Sequence, residues 1–274
     1  MKAIVLTYDK YRLLAEHMVA RYDALWPEHP FTWHVPYQQD TEFDGRRVEL
    51  VQTPPAIKDT VLTLLRDLPD DEWIYWALDD KYPLFLDVEP IDRLSRWIAA
   101  GEAPDDYGGV LFCRCRHMLS RRWARPHRGA QPPGVPLLER NSYQQIWIHQ
   151  FLRVRVVRHL FGAFPDRIPQ ANVMDEYKDR MTLPPDHRLF VTRANAASFG
   201  ESTDAGRLTR NCAESLDRHG FERPPLPASP DRIVLGESSP WAFRATLLAR
   251  LLPESLWPTM RRMRRTLRQR SGRP

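Results

Sequence analysis

Residues Trp73-Ile74-Tyr75-Trp76-Ala77-Leu78 are all aromatic or apolar, and the run stops on two adjacent carboxylates, Asp79 and Asp80, followed by Lys81 and Tyr82. Aromatic and aliphatic residues at this density fit a buried, strand-prone segment. The acids then fall where the strand leaves the sheet. In open α/β sheets that rim, outside the carboxyl ends of the strands, is where ligands bind. Adjacent carboxylates repel, so something must offset their charge. A divalent cation carrying a diphosphate would do so, because Mg²⁺ and Mn²⁺ favour oxygen ligands. An ordinary strand-to-turn junction, with Asp as a turn former, is the plainer reading of the same residues.

The elements around this strand follow from periodicity. Ala3 to Leu6 predicts a strand. Tyr11, Leu14, Ala15, Met18, Val19, Tyr22 and Leu25 recur at helical spacing, and Pro27 ends that helix. Phe31–Val35 and Arg46–Val51 read as strands. Pro54-Pro55 opens a helix with Ile57, Val61, Leu64, Leu65 and Leu68 on one face, and Pro90 starts another that Gly101 stops. Gly109–Cys113 reads as a strand. Residues 116–141 lose periodicity and carry prolines and arginines, the composition of a long functional or solvated loop. Tyr143–Phe161 predicts an apolar helix ended by Gly162, although Leu152, Val154 and Val156 alternate as in a strand. His187–Thr192 predicts a strand. Ala205–His219 predicts a helix capped by Ser202, Thr203 or Asp204 and closed by Gly220. The β-α-β-β-α-β-α-β order implies a layered α/β domain with a mostly parallel central sheet.

Charge divides the chain. The overall +5 hides nine Arg and one Glu in residues 241–274, leaving −3 for residues 1–240. A mildly acidic body argues against nucleic acid as a partner, and the tail predicts a local anionic contact. Its apolar residues and Trp257 among arginines describe a helix lying in an anionic membrane interface. The expected organisation is one domain over residues 1–235, divided near residue 115, with a basic amphipathic tail over 236–274. No apolar run approaches the roughly 18–20 residues that span a bilayer. The N-terminus runs too soon into charged sequence for a signal peptide, so the expected location is cytoplasmic, peripheral at the inner membrane face. Cys113, Cys115 and Cys212 fit a reducing compartment as buried thiols.

Several segments together resemble bacterial capsule- and lipopolysaccharide-type glycosyltransferases of the GT-A fold. They are Leu6-Thr7-Tyr8-Asp9-Lys10-Tyr11, Leu25-Trp26-Pro27 with Pro30-Phe31, and Leu78-Asp79-Asp80-Lys81-Tyr82. The last is similar to a variant of that family's metal-binding DXD motif. The motif-level likeness covers roughly the first 90 residues, with an echo at Ile146–Leu152. It implies a Rossmann-type layered domain with a nucleotide-sugar donor and a glycan or lipid-linked acceptor. By position it places Thr7, Tyr8 and Asp9 against the nucleotide, Asp79 against ribose or metal, and Asp80 on Mg²⁺ or Mn²⁺. A metal there would neutralise the departing nucleoside diphosphate. Lys58, opening its helix, is a candidate nucleotide contact. Lys81 departs from the family pattern, and a salt bridge from it to Asp79 would leave the site without metal.

An inverting transferase also needs a carboxylate base from the acceptor half of the chain. Asp175 and Glu176 are the first candidates and Glu201 the next. Two rival readings remain from the sequence. A nucleotidyltransferase would share sheet and metal, but the loop after the first strand has no glycine. A non-catalytic module would bind an anionic partner through the tail.

Overall fold

The computed structural model describes residues 1–113, 124–166, 174, 177, 178 and 180–235. The chain opens with strand β1 (Lys2–Leu6), a 3-10 turn at Asp9–Tyr11 and helix α1 (Arg12–Leu25). Strands β2 (Thr32–Tyr37) and β3 (Val48–Gln52), helix α2 (Ile57–Leu64) and strand β4 (Trp73–Leu78) follow. Then come β5 (Lys81–Leu86), α3 (Val88–Ala99), β6 (Tyr107–Leu111), β7 (Ala124–Pro126) and β8 (Leu137–Arg140). The last described elements are β9 (Gln150–Arg153), α4 (Val154–Ala163), β10 (Arg188–Thr192), β11 (Ala197–Glu201), β12 (Thr203–Asp204), β13 (Arg207–Leu208), α5 (Arg210–His219) and β14 (Val234–Leu235).

The protein is mixed α/β. Among the described residues its central sheet has nine strands, in the order β3-β2-β1-β4-β9-β6-β10-β8-β7. Every strand of it runs one way except β9 and β8, which are antiparallel to their neighbours. Alternation along the strands builds a core on each face. Ala3, Val5, Tyr75 and Ala77 face a core shared with α1, α3 and α5, while Ile4, Leu6, Ile74, Trp76 and Leu78 face one shared with α2 and α4. A second, three-stranded sheet, β14-β11-β5, stands beside the first.

Three sequence expectations give way here. The helix predicted over Tyr143–Phe161 is the strand β9 followed by α4, because Gln150–Arg153 fills the gap between β4 and β6 and pairs with both. That insertion needs close backbones at β6: a Cβ on Gly109 would stand 2.3 Å from Leu152 Cδ2 and 3.0 Å from the Phe151 carbonyl oxygen. The helix predicted from Ala205 begins only at Arg210, with Thr209 as its cap accepting from Cys212 N at 3.4 Å. Residues 203–208 are a hairpin instead, turned by Ala205 and Gly206 at positive φ, the geometry of a tight two-residue turn. Within 116–141, predicted to be loop, β7 and β8 extend the sheet edge. The basic tail lies outside the described residues, as does Cys115, whereas Cys113 and Cys212 are buried. No helix among the described residues is long and apolar enough to cross a membrane.

Candidate functional site

The carboxyl ends of β1 and β4 lie side by side, since Leu6 pairs with Leu78. The next residues therefore emerge together, Thr7 and Tyr8 from one strand and Asp79 and Asp80 from the other. The acid pair forms a two-residue turn that sends the chain straight into β5, in the small sheet. That sheet brings in a third acid, because Glu201 of β11 pairs with Lys81 of β5. Ser202 fastens the junction: its N–H donates to the Asp80 carbonyl at 2.7 Å and its hydroxyl to the Asp79 carbonyl at 3.1 Å. From beneath, buried His149 sets the end of β4, with Nε2 3.0 Å from Leu78 N and Nδ1 2.7 Å from Tyr22 Oη.

The charges are arranged around Lys81. Its buried ammonium donates to Asp80 Oδ2 at 2.6 Å and also to Glu201 Oε2. The sequence left a Lys81–Asp79 bridge open; the lysine instead joins Asp80 to Glu201. Asp79 is buried, and Thr7 Oγ1 donates to its Oδ2 at 2.6 Å. Burial, with the Asp80 charge beside it, pushes the Asp79 carboxyl up to about 7. Burial likewise pushes Glu201 up to about 7, against the pull of Lys81. For Lys81 burial acts downward, but Asp80 and Glu201 outweigh it and its pKa rises. Burial and the nearby Asp79 raise the Tyr8 phenol to about 12.

Along the same rim, Thr7, Tyr8 and Asp9 line a cleft with Arg12, Val35–Tyr37, Asp40, Glu42, Phe43 and Leu50. The loop after β2 closes it. Asp9 accepts from the N–H groups of Gln38 at 3.0 Å, Gln39 at 2.8 Å and Asp40 at 3.2 Å, and Arg12 holds Asp40 and the Glu42 carbonyl. The free volume left is about 10 Å³, room for about one water. A nucleoside fits here only when that loop moves.

Thr7, Tyr8, Asp79, Asp80 and Glu201 therefore share one rim, while Asp9 is occupied by the loop it anchors. Lys58 is not a wall of the cleft; its ammonium is held by the Phe164 carbonyl and Asp166, both at 2.7 Å. Asp175 and Glu176 lie outside the described residues. Among the described residues, no group of three or more His, Cys, Asp and Glu side chains is arranged to hold a metal ion. Sequence reasoning missed the reach of Lys81 to Glu201, and also Ser202 and Arg12. The signal available was Gly200-Glu201-Ser202, which read as a helix cap and is a strand end.

No protein-family model matches the chain, and no curated protein matches it. Solved structures similar to it include residues 1–349 of TarS from S. aureus, at 12% identity over 72% of this chain and 59% of that one, with a TM-score of 0.40. The chain thus spans about three fifths of that structure. The galactosyltransferase LgtC in complex with donor and acceptor sugar analogs is 12% identical over 93% of this chain and 99% of its own, with a TM-score of 0.36. The 2-C-methyl-D-erythritol 4-phosphate cytidylyltransferase of Francisella tularensis is 9% identical over 90% and 98%, with a TM-score of 0.33. Likenesses this distant carry no argument about activity.

Proposed function

We propose that this chain is a glycosyltransferase, taking a sugar from a nucleotide-sugar donor to a glycan or lipid-linked acceptor. The observation that carries the reading is the convergence of Asp79, Asp80, Lys81 and Glu201 on one rim of the sheet, beside the cleft of Thr7 and Tyr8. The nucleoside is assigned to that cleft and the diphosphate to the acid–lysine cluster. Glu201 is the base this geometry favours, with Asp175 and Glu176 as the alternatives that the resemblance offered. A carboxyl near 7 accepts a proton efficiently at neutral pH. In the transfer the acceptor hydroxyl gives its proton to Glu201 while its oxygen bonds to the sugar's anomeric carbon. The bond from that carbon to the phosphate oxygen breaks, and the nucleoside diphosphate leaves with the electron pair.

The resemblance implies Mg²⁺ or Mn²⁺ on Asp80 and Asp79, where a metal would neutralise the departing diphosphate. The donor set does not suit it while Lys81 is in place. Asp80 Oδ2 carries the ammonium, and Asp80 Oδ1 is buried without a hydrogen-bond partner. Asp79 gives Oδ2 to Thr7.

The test is a thermal-shift panel of nucleotide sugars on the full chain, with and without Mn²⁺. A ligand that binds the folded state raises its apparent stability. One donor class is expected to raise the melting temperature. A flat response to every nucleotide sugar under both conditions overturns the reading.

A further inference from the structure

The clash between the acid pair and a divalent cation has a constructive side, which rests on the transferase reading above. We infer that the Lys81 ammonium is the built-in cation of this site, so that it receives a diphosphate group without a divalent metal.

Lys81 follows Asp80 at the start of β5, and its side chain returns to the acid turn it has just left. There it lies between Asp80 Oδ2, at 2.6 Å, and Glu201 Oε2. A divalent cation balancing those two carboxylates would need the place the ammonium occupies. Lys81 is only 7% exposed, and two elements hold it: β5 through its backbone and β11 through Glu201. Swinging it out would leave Asp80 and the more enclosed Glu201 without a counter-charge, which is unfavourable.

The second observation is donor capacity. An ammonium has three N–H groups. Asp80 and Glu201 take two, and among the described residues no acceptor meets the third. The side chain of Asp80 is 36% exposed against 9% for that of Lys81, so solvent reaches the cluster on the Asp80 side. A phosphate oxygen arriving from the Asp80 side would take the remaining N–H. Lysine serves such a contact as a point charge and needs no fixed approach geometry.

The experiment measures binding of two probes, Mn²⁺ alone and inorganic pyrophosphate, to the full chain by titration calorimetry. Wild type is expected to bind Mn²⁺ no better than its scattered surface carboxylates do. It is expected to bind pyrophosphate equally in EDTA and in Mn²⁺, after correction for the complex the two probes form. Lys81→Met should weaken metal-free pyrophosphate binding at least tenfold and tighten Mn²⁺ binding at least tenfold, by freeing Asp80 and Glu201. Lys81→Arg keeps the charge and should keep metal-free pyrophosphate binding, which covers the case in which Lys81→Met does not fold. Pyrophosphate binding that requires Mn²⁺, or a saturable Mn²⁺ site in wild type, overturns this inference and leaves the transferase reading standing. No pyrophosphate binding under either condition overturns this inference, and only a flat response to the nucleotide sugars as well overturns the transferase reading.

Discussion

Replacing Thr7 by valine deletes one hydroxyl and keeps the shape of the side chain. Thr7 is 2% exposed, and its Oγ1 donates at 2.6 Å to Oδ2 of Asp79, itself 9% exposed. A hydrogen bond to a charged group contributes about 1.5–3 kcal/mol, against about 0.5–1.5 kcal/mol for a neutral pair. With Asp79 ionised, Thr7→Val should therefore cost about 2 kcal/mol. In an Asp79→Asn background the acceptor is neutral and the same change should cost about 1 kcal/mol, a coupling energy near 1 kcal/mol. The measurement belongs at pH 9, above the raised carboxyl at about 7. Its sign follows from linkage. Between pH 4 and 7 the folded state holds a proton on Asp79 that the unfolded chain lacks, so this group's contribution falls as pH rises through that window. At pH 9 Asp79→Asn alone should then stabilise, by up to about 4 kcal/mol from a shift of about 3 pH units. Urea unfolding of the four proteins completes the cycle. Equal costs for Thr7→Val in both backgrounds, or a destabilising Asp79→Asn at pH 9, would refute the claim that a buried carboxylate leans on this hydroxyl.

Buried His17 is held down to about 3 by desolvation, with His219 and Arg21 adding to it. Its stabilising contribution is present above the unfolded value near 6.5 and is lost as pH falls, so His17→Phe should reduce the stability slope between pH 6 and 4 by about 1.4 kcal/mol per pH unit, read from urea midpoints. Asp9→Ala removes the acceptor of three loop N–H groups, and amide hydrogen exchange at Gln38, Gln39 and Asp40 should quicken at least tenfold while α1 is unaffected. Gly109→Ala drives a methyl into Leu152 and should cost about 1–3 kcal/mol by overpacking, seen in thermal unfolding.

Most of what positions the site was legible along the chain. The strand at 73–78, its acid terminus and the first four strands with their two intervening helices follow from patterns a few residues long. What escaped reading depends on distant partners. Gln150–Arg153 is a strand because β4 and β6 leave a gap between them, and no local periodicity reports that gap. β5 begins directly after Asp80 and leaves for a second sheet, so the acids turn the chain as well as end a strand. Glu201 was visible as a carboxylate in the acceptor half. Its meeting with Lys81, 120 residues earlier, depends on β5 and β11 pairing. Lys81 was read as a departure from a motif, whereas its ammonium is what allows Asp80 and Glu201 to stand together.

The claim that this rim is a nucleotide-sugar site is tested most directly by amide NMR of the full chain titrated with uridine and cytidine 5′-diphosphates. The account predicts saturable shifts for at least one of them, gathered at Thr7–Asp9, Asp79–Lys81 and Glu201, with the loop at Gln38–Asp40 moving as it opens. Saturable shifts confined to the outer faces of α2 and α4, with the rim unchanged, would contradict it.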